Sequence, residues 1–190
     1  METSTLIVPA GVALADVVRN VRPDQLDEPT PCPDWTVRQL VNHLMFWAPV
    51  MERAARKDPV RPLSDLDQDL VVDDWRERCA RLVDALAEAW SQPDAWIGTS
   101  RMTGPESPAA MFGGMVLCEF VLHGWDLARA TGQELACAEA TALGTYAVVE
   151  PMLVQGRSMG VFGPEVAVPE TAPELWRVVA VSGRDPNWRA

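Results

Sequence analysis

Basic residues are in short supply in this chain. Sixteen Lys and Arg stand against 27 Asp and Glu, a formal net charge of −11 and a sequence pI of about 4.6. A general nucleic-acid binder displaces counterions with a basic surface, so this balance excludes that class. It equally disfavours docking to anionic membranes. No apolar run reaches the length that spans a bilayer. The opening METSTLIVPAG has no basic stretch followed by a long apolar one. Cys32, Cys79, Cys118 and Cys137 lie far apart with no C-x-x-C pair, so reduced thiols in a cytoplasmic protein are expected. Tyrosine occurs once and histidine only twice, whereas there are eight Trp. The 16 Pro cluster in connections and toward the C-terminal end, where they punctuate helices.

What is present is helical periodicity. Residues 8–21 carry a stripe of Ala10, Ala13, Leu14, Val17, Val18 and Val21, ended by Arg22-Pro23. A proline-punctuated loop, DEPTPCPDW, then holds Cys32 and Trp35. Thr36 and Gln39 form a capping box that opens a helix running to about Arg56, with His43 at the edge of its apolar stripe. After a linker at Lys57–Leu63, a third helix is expected over 66–90, with Val72, Trp75, Cys79, Leu82, Leu86 and Trp90 facing inward. Asp74–Arg78 and Glu77–Arg81 would pair on its wet side. Residues 91–107 read as a loop with a short extended piece at Trp96–Ser100.

The chain is organised around the next helix, expected from Pro108 to Ala130 with Gly132 as its C′ residue. It is apolar almost all round, and between Glu106 and Asp126 its only formal charge is Glu119. His123 follows at i+4, on the same face. A carboxylate in such a helix is costly unless paired. The stretch alone admits two readings, a hydrogen-bonded Glu–His pair in the core or two arms of a metal site. Gly113-Gly114 has none of the surroundings of a phosphate loop and points to close helix approach. A further helix begins near Cys137 and holds Ala142, Tyr146 and Val149, with Pro151 ending or kinking it. In the proline-rich tail, Pro173–Val181 is the one helical stretch.

Four long amphipathic helices without a strand-and-turn rhythm predict an all-α protein. The expected form is a four-helix bundle with extra short helices and the tail packed on it. One domain is expected over 1–190, the bundle about 8–155 and the tail 156–190. Bundle interiors are where facing helices build metal sites. The two histidines, His43 and His123, make with Glu119 a two-His, one-carboxylate set, the ligand count of an open site and not of a closed structural one. Asp126, on the face of Glu119 and His123, either orients a ligand imidazole or closes a hydrogen-bond network near the helix end. Cys118 points away round the helix and reads as core, and Cys32 as packing under its loop with reactivity the lesser reading. Trp35, Trp47 and Trp125 are either pocket walls or core.

TPCPDWTVRQLVNHL, CEFVLHGWDLARATGQ and FGPEVAVPE…VSGRDPNW together resemble the DinB-like metal-binding superfamily. More narrowly they resemble the actinobacterial branch related to the N-terminal domain of mycothiol-dependent maleylpyruvate isomerase. The resemblance covers most of the chain and rests on two blocks, C-x-x-W-T-V-R-x-L-x-x-H-L and E-x-x-x-H-x-W-D-L-A-x-A-T-G. It implies a divalent metal, commonly zinc, on His43, Glu119 and His123, with nickel or iron also compatible with those ligands. It further implies mycothiol as a thiol cosubstrate and, since some members are dimers, a homodimer. The isomerase carries an additional C-terminal domain that helps complete its active site, so activity on maleylpyruvate does not carry over. Two function classes follow. One is a metal-dependent thiol S-transferase or isomerase acting on a small electrophile, or a hydrolase if water takes the open position. The other is a non-catalytic metal-binding or partner-binding bundle.

Overall fold

Burial of one face of each helix accounts for the architecture. The structure, a computed structural model, describes residues 2–58 and 68–189. Helix α1 (Ser4–Asn20) and helix α2 (Val37–Ala55) both pack on α3 (Trp75–Ser91), which joins their apolar stripes into the main core. Leu14, Val18, Leu40, Val41, Cys79 and Trp90 are almost fully buried there. α4 (Ala109–Cys118), a π-helical turn at Glu119–His123 and α5 (Gly124–Ala130) follow one another without a break, as the fourth long helix. α6 (Glu139–Val149), a 3-10 turn at Glu150–Met152, α7 (Leu153–Ser158) and α8 (Glu174–Val181) complete the order. The protein is all-α. The described strands, β1 (Thr99–Ser100) and β2 (Ser107–Pro108), form one short antiparallel pair ahead of α4. No helix of the described residues is long and apolar enough to cross a membrane.

The capping box forms as expected: the Gln39 amide donates to Thr36 Oγ1 at 3.3 Å and the Thr36 amide to Gln39 Oε1 at 2.8 Å. The next two amides of α2 are used differently. Val37 N donates to the Glu28 carbonyl (2.9 Å) and Arg38 N to that of Leu26 (2.8 Å), which folds the preceding loop back over the helix start. Thr30 closes this loop by bonding the Trp35 carbonyl through both its amide (3.0 Å) and its hydroxyl (2.9 Å). Asp34 takes the left-handed φ of 65° that the tight turn needs. Trp35 is thereby set against His43 in the first half of α2.

The third helix starts later than its periodicity suggests. The linker beyond residue 58 and the first two residues of the expected 66–90 helix lie outside the described residues. Residues 68–74, however, are not helical. Side chains of α2 and of α3 itself hold their backbone instead. Asn42 donates to the Gln68 carbonyl (3.1 Å) and accepts from Leu70 N (2.6 Å), while Arg38 donates to the Val71 carbonyl (3.1 Å) and Arg78 to that of Leu70. Val72 consequently faces solvent and not the core. Asp74 pairs with both Arg78 (3.9 Å) and Arg81 (3.5 Å), so Arg81 turns to Asp74 and not to Glu77.

The extended piece expected at Trp96–Ser100 is narrower, because Pro93–Trp96 is a 3-10 turn and only Thr99–Ser100 pairs as strand. Pro151 neither ends the sixth helix outright nor merely bends it. The proline lacks an amide for the α ladder, and a 3-10 turn there leads into α7. Gly113 and Gly114 do allow close approach. A Cβ on the first would stand 2.5 Å from the Trp96 ring, and one on the second 2.9 Å from Val148.

The tail packs on the bundle through a second apolar cluster. Leu122 and Trp125 from the central helix meet Ala142 and Val149 of α6, Phe162, and Val178, Val179 and Val181 of α8.

Candidate metal centre

His43 sits two turns into α2 and Glu119 opens the π turn, 76 residues further on, yet His43 Nε2 lies 3.0 Å from Glu119 Oε2. His123 Nε2 reaches the same oxygen at 3.5 Å. The three sequence-predicted ligands are thus brought together, with their nitrogen and oxygen donors all within 4.8 Å of one another. The side chains of all three keep some exposure, 19%, 22% and 11% for His43, Glu119 and His123, because they open into a cavity.

The π turn falls on Glu119–His123 itself. Such single-turn bulges inside α-helices are frequent at functional sites. Nothing in the run EFVLH announces it, since a regular α-helix would suit those residue types equally well.

Asp126 lies one turn beyond His123 and is fully buried. Its Oδ2 is 3.0 Å from His123 Nδ1, and both of its oxygens accept from Arg184, Nε to Oδ1 and Nη2 to Oδ2, each at 2.8 Å. Burial alone would push the Asp126 carboxyl up, but the Arg184 guanidinium and the His123 hydrogen bond hold it below the ordinary carboxylate range. Glu119 is likewise held below that range against its burial, by His123, the His43 hydrogen bond and, more weakly, Arg184. An ionised Asp126 can only accept, so His123 Nδ1 donates to it and the ring is held with Nε2 toward Glu119.

Sequence reasoning missed Arg184. It stands inside the quoted VSGRDPNW segment, but nothing marks one arginine among the chain's basic residues as destined for the interior. Trp35, left open between pocket wall and core, lines the cavity. Its ring stacks on His123 (centroids 5.8 Å, 27°) and leans on His43 (4.8 Å, 47°). Trp47 and Trp125 pack into the cores.

Cys32 does more than pack under its loop. It is half-buried, lines the cavity, and its sulfur falls within 4.8 Å of donors on His123 and Asp126. Burial and the nearby Asp126 carboxylate push its thiol up to about 11. Cys118 also borders the cavity, with its thiol pushed up by burial to about 12. Neither is a thiolate at neutral pH.

The cavity measures about 520 Å³. Its floor is the His43, Glu119 and His123 set, and its walls are apolar where Met115, Leu122, Met152 and Phe162 contribute. A volume of this order suits a small organic molecule.

Residues 8–128 match the mycothiol maleylpyruvate isomerase N-terminal domain, more than half of the chain. The chain belongs to that family, a DinB-like one. The matched span contains His43, Glu119, His123 and Asp126 but stops short of Arg184. Two uncharacterized proteins of Mycobacterium tuberculosis, from strains CDC 1551 / Oshkosh and H37Rv, are each 29% identical to the chain over 174 residues. The alignment covers 90% of this chain and 92% of theirs. No solved structure matches it.

Proposed function

We propose that His43, Glu119 and His123 hold a divalent metal ion, zinc first and nickel or iron as alternatives. On this reading the cavity takes a small thiol such as mycothiol together with a small electrophile, for S-transfer or isomerisation. The observation that carries the metal reading is the convergence of the His43, Glu119 and His123 donor atoms within 4.8 Å of one another. With Nδ1 turned to Asp126, Nε2 of His123 stands 3.5 Å from a Glu119 oxygen that also meets His43. Two imidazole nitrogens and a carboxylate converging on one point of a cavity are donor types that suit a borderline divalent metal. Three protein ligands leave coordination positions open toward the cavity.

A metal held there supplies Lewis acidity that lowers the pKa of a coordinated thiol or water. The chain's own residues do the rest. Glu119 and the two imidazoles hold the ion, and Asp126 fixes the His123 ring. Trp35 closes one side of the site against water, and the Met115, Leu122 and Phe162 wall favours an apolar part of the electrophile.

Elemental analysis of protein purified without a polyhistidine tag tests this reading. Stoichiometric metal in the wild type, lost in both His43→Ala and Glu119→Ala, is the expected result, and it warrants screening thiols against electrophiles. A wild type that purifies empty and takes up no added zinc, nickel or iron would overturn it and leave a bundle whose role is to bind a partner.

A further inference from the structure

The region that matches the family ends at residue 128, yet the most buried charge contact in the site comes from far beyond it. Arg184 is only 8% exposed and gives Asp126, itself 0% exposed, two hydrogen bonds of 2.8 Å. Its third nitrogen, Nη1, donates to Ser182 Oγ at 3.1 Å, and that hydroxyl donates to the Val179 carbonyl at 2.7 Å. Three of the five N–H donors of the guanidinium are thereby used within the protein, at the edge of the cavity. The group is oriented by the tail and in turn orients Asp126.

The tail is fastened so that this corner cannot drift. Gly163 N donates to the Ser182 carbonyl (3.1 Å) and Arg184 N to that of Val179 (3.0 Å). Arg157 bridges the two segments of the corner, with Nε on the Gly163 carbonyl (3.0 Å) and Nη2 on that of Val181 (3.0 Å). Further along, Arg129 of α5 donates to the Trp188 carbonyl at 2.8 Å. A surface arginine needs none of this. A buried one that fixes a carboxylate does, because a planar fork holds a carboxylate in one orientation where a lone ammonium would not.

We infer that Arg184 is the positioning residue of the centre, setting through Asp126 which ring nitrogen of His123 faces Glu119. The inference rests on the metal reading only for its functional consequence. The tail is then part of the site and not merely a cover for the bundle. Partners that orient a ligand imidazole from behind typically change metal affinity about 10–100-fold when removed.

Long-range ¹H–¹⁵N spectra of the imidazole rings, recorded on metal-free protein well above the ordinary histidine range, read the tautomer directly. With two histidines in the chain, a His43→Gln variant assigns both rings. The expected wild-type result is His123 protonated at Nδ1. In Arg184→Met that preference should be lost and zinc affinity, measured by chelator competition, should fall about 10–100-fold. In Arg184→Lys, which keeps the charge but not the fork, both readouts should be intermediate. Should Arg184→Met fail to fold, Arg184→Lys carries the same two readouts. An unchanged tautomer with zinc affinity within about twofold of wild type would overturn the inference, since 10–100-fold is expected. A wild type that binds no zinc would sink the metal reading alone, because the tautomer comparison still decides what Arg184 does to His123.

Discussion

Asp126→Ala is expected to cost about 3–5 kcal/mol of folding stability, because it leaves the Arg184 guanidinium buried with no counter-charge. The pair is well placed for so large an effect. Neither partner reaches solvent to any useful extent, and the Gly163–Ser182 bond and the Arg157 bridge keep the tail from swinging Arg184 outward. Urea unfolding of metal-free protein at neutral pH measures it. The double variant Asp126→Ala/Arg184→Met should recover part of the loss, since an apolar side chain then occupies the gap in place of an uncompensated charge. A single-variant cost below about 1 kcal/mol would mean that Arg184 finds water, and that the tail is looser than its hydrogen bonds indicate.

The same pair sets an acid limb. The folded Asp126 carboxyl lies below its ordinary value, held there against its burial by Arg184 and by His123. Its contribution is therefore fully present above the unfolded value of about 3.9 and is lost as pH falls below that toward the folded value. Glu119, also depressed, adds a limb of the same sign. Wild-type stability should drop steeply below about pH 4, and Asp126→Ala should show a shallower drop over the same range. Parallel limbs would show that the carboxylate is not the titrating group.

Gly183→Ala is the second large effect. Gly183 has φ +94°, and a Cβ there would sit 2.4 Å from Gly163 Cα and 2.6 Å from Gly163 N. Both obstacles are backbone, so no side chain can rotate away. The left-handed conformation costs about 1–2 kcal/mol for an L side chain, and overpacking adds about 1–3 kcal/mol. Gly132→Ala provides the contrast. Its φ is +69°, but nothing lies within 4 Å of the added Cβ, so only the conformational cost of about 1–2 kcal/mol applies. Denaturation midpoints of the two variants side by side check this. Equal losses would show that the 163–183 crossing opens without penalty. On the proposed metal reading, Gly183→Ala should also weaken zinc binding, since the crossing carries Arg184, while Gly132→Ala leaves it unchanged.

The amino-acid sequence by itself marked most of the helices and singled out His43, Glu119 and His123 as candidates. Thr36 and Gln39 announce the start of α2 because a capping box is a local interaction, complete within four residues. The apolar stripes announce which faces are buried because helical spacing is local too. Histidine is so scarce that His43 and His123 stand out, and Glu119 stands out as the lone charge in an apolar helix, since burying it unpaired would be costly. Where local signals misled, a distant side chain had intervened. Asn42, Arg38 and Arg78 take the backbone groups of residues 68–74 that a longer third helix would have used.

Only the tertiary structure decided that α2 and the central helix meet with His43 against Glu119. That meeting depends on how three helices share one core, and no residue spacing records it. It also decided that the central helix widens into a π turn at the site, that Trp35 lies over both imidazoles, and that Arg184 crosses 58 positions to reach Asp126. The physical reason is common to the three side-chain contacts, His43–Glu119, Trp35–His123 and Arg184–Asp126. Each is a contact between residues far apart in the chain, whose partner is chosen by the packing of everything between them. A sequence pattern records what each segment can bury, and the folded chain settles what each buried group then touches.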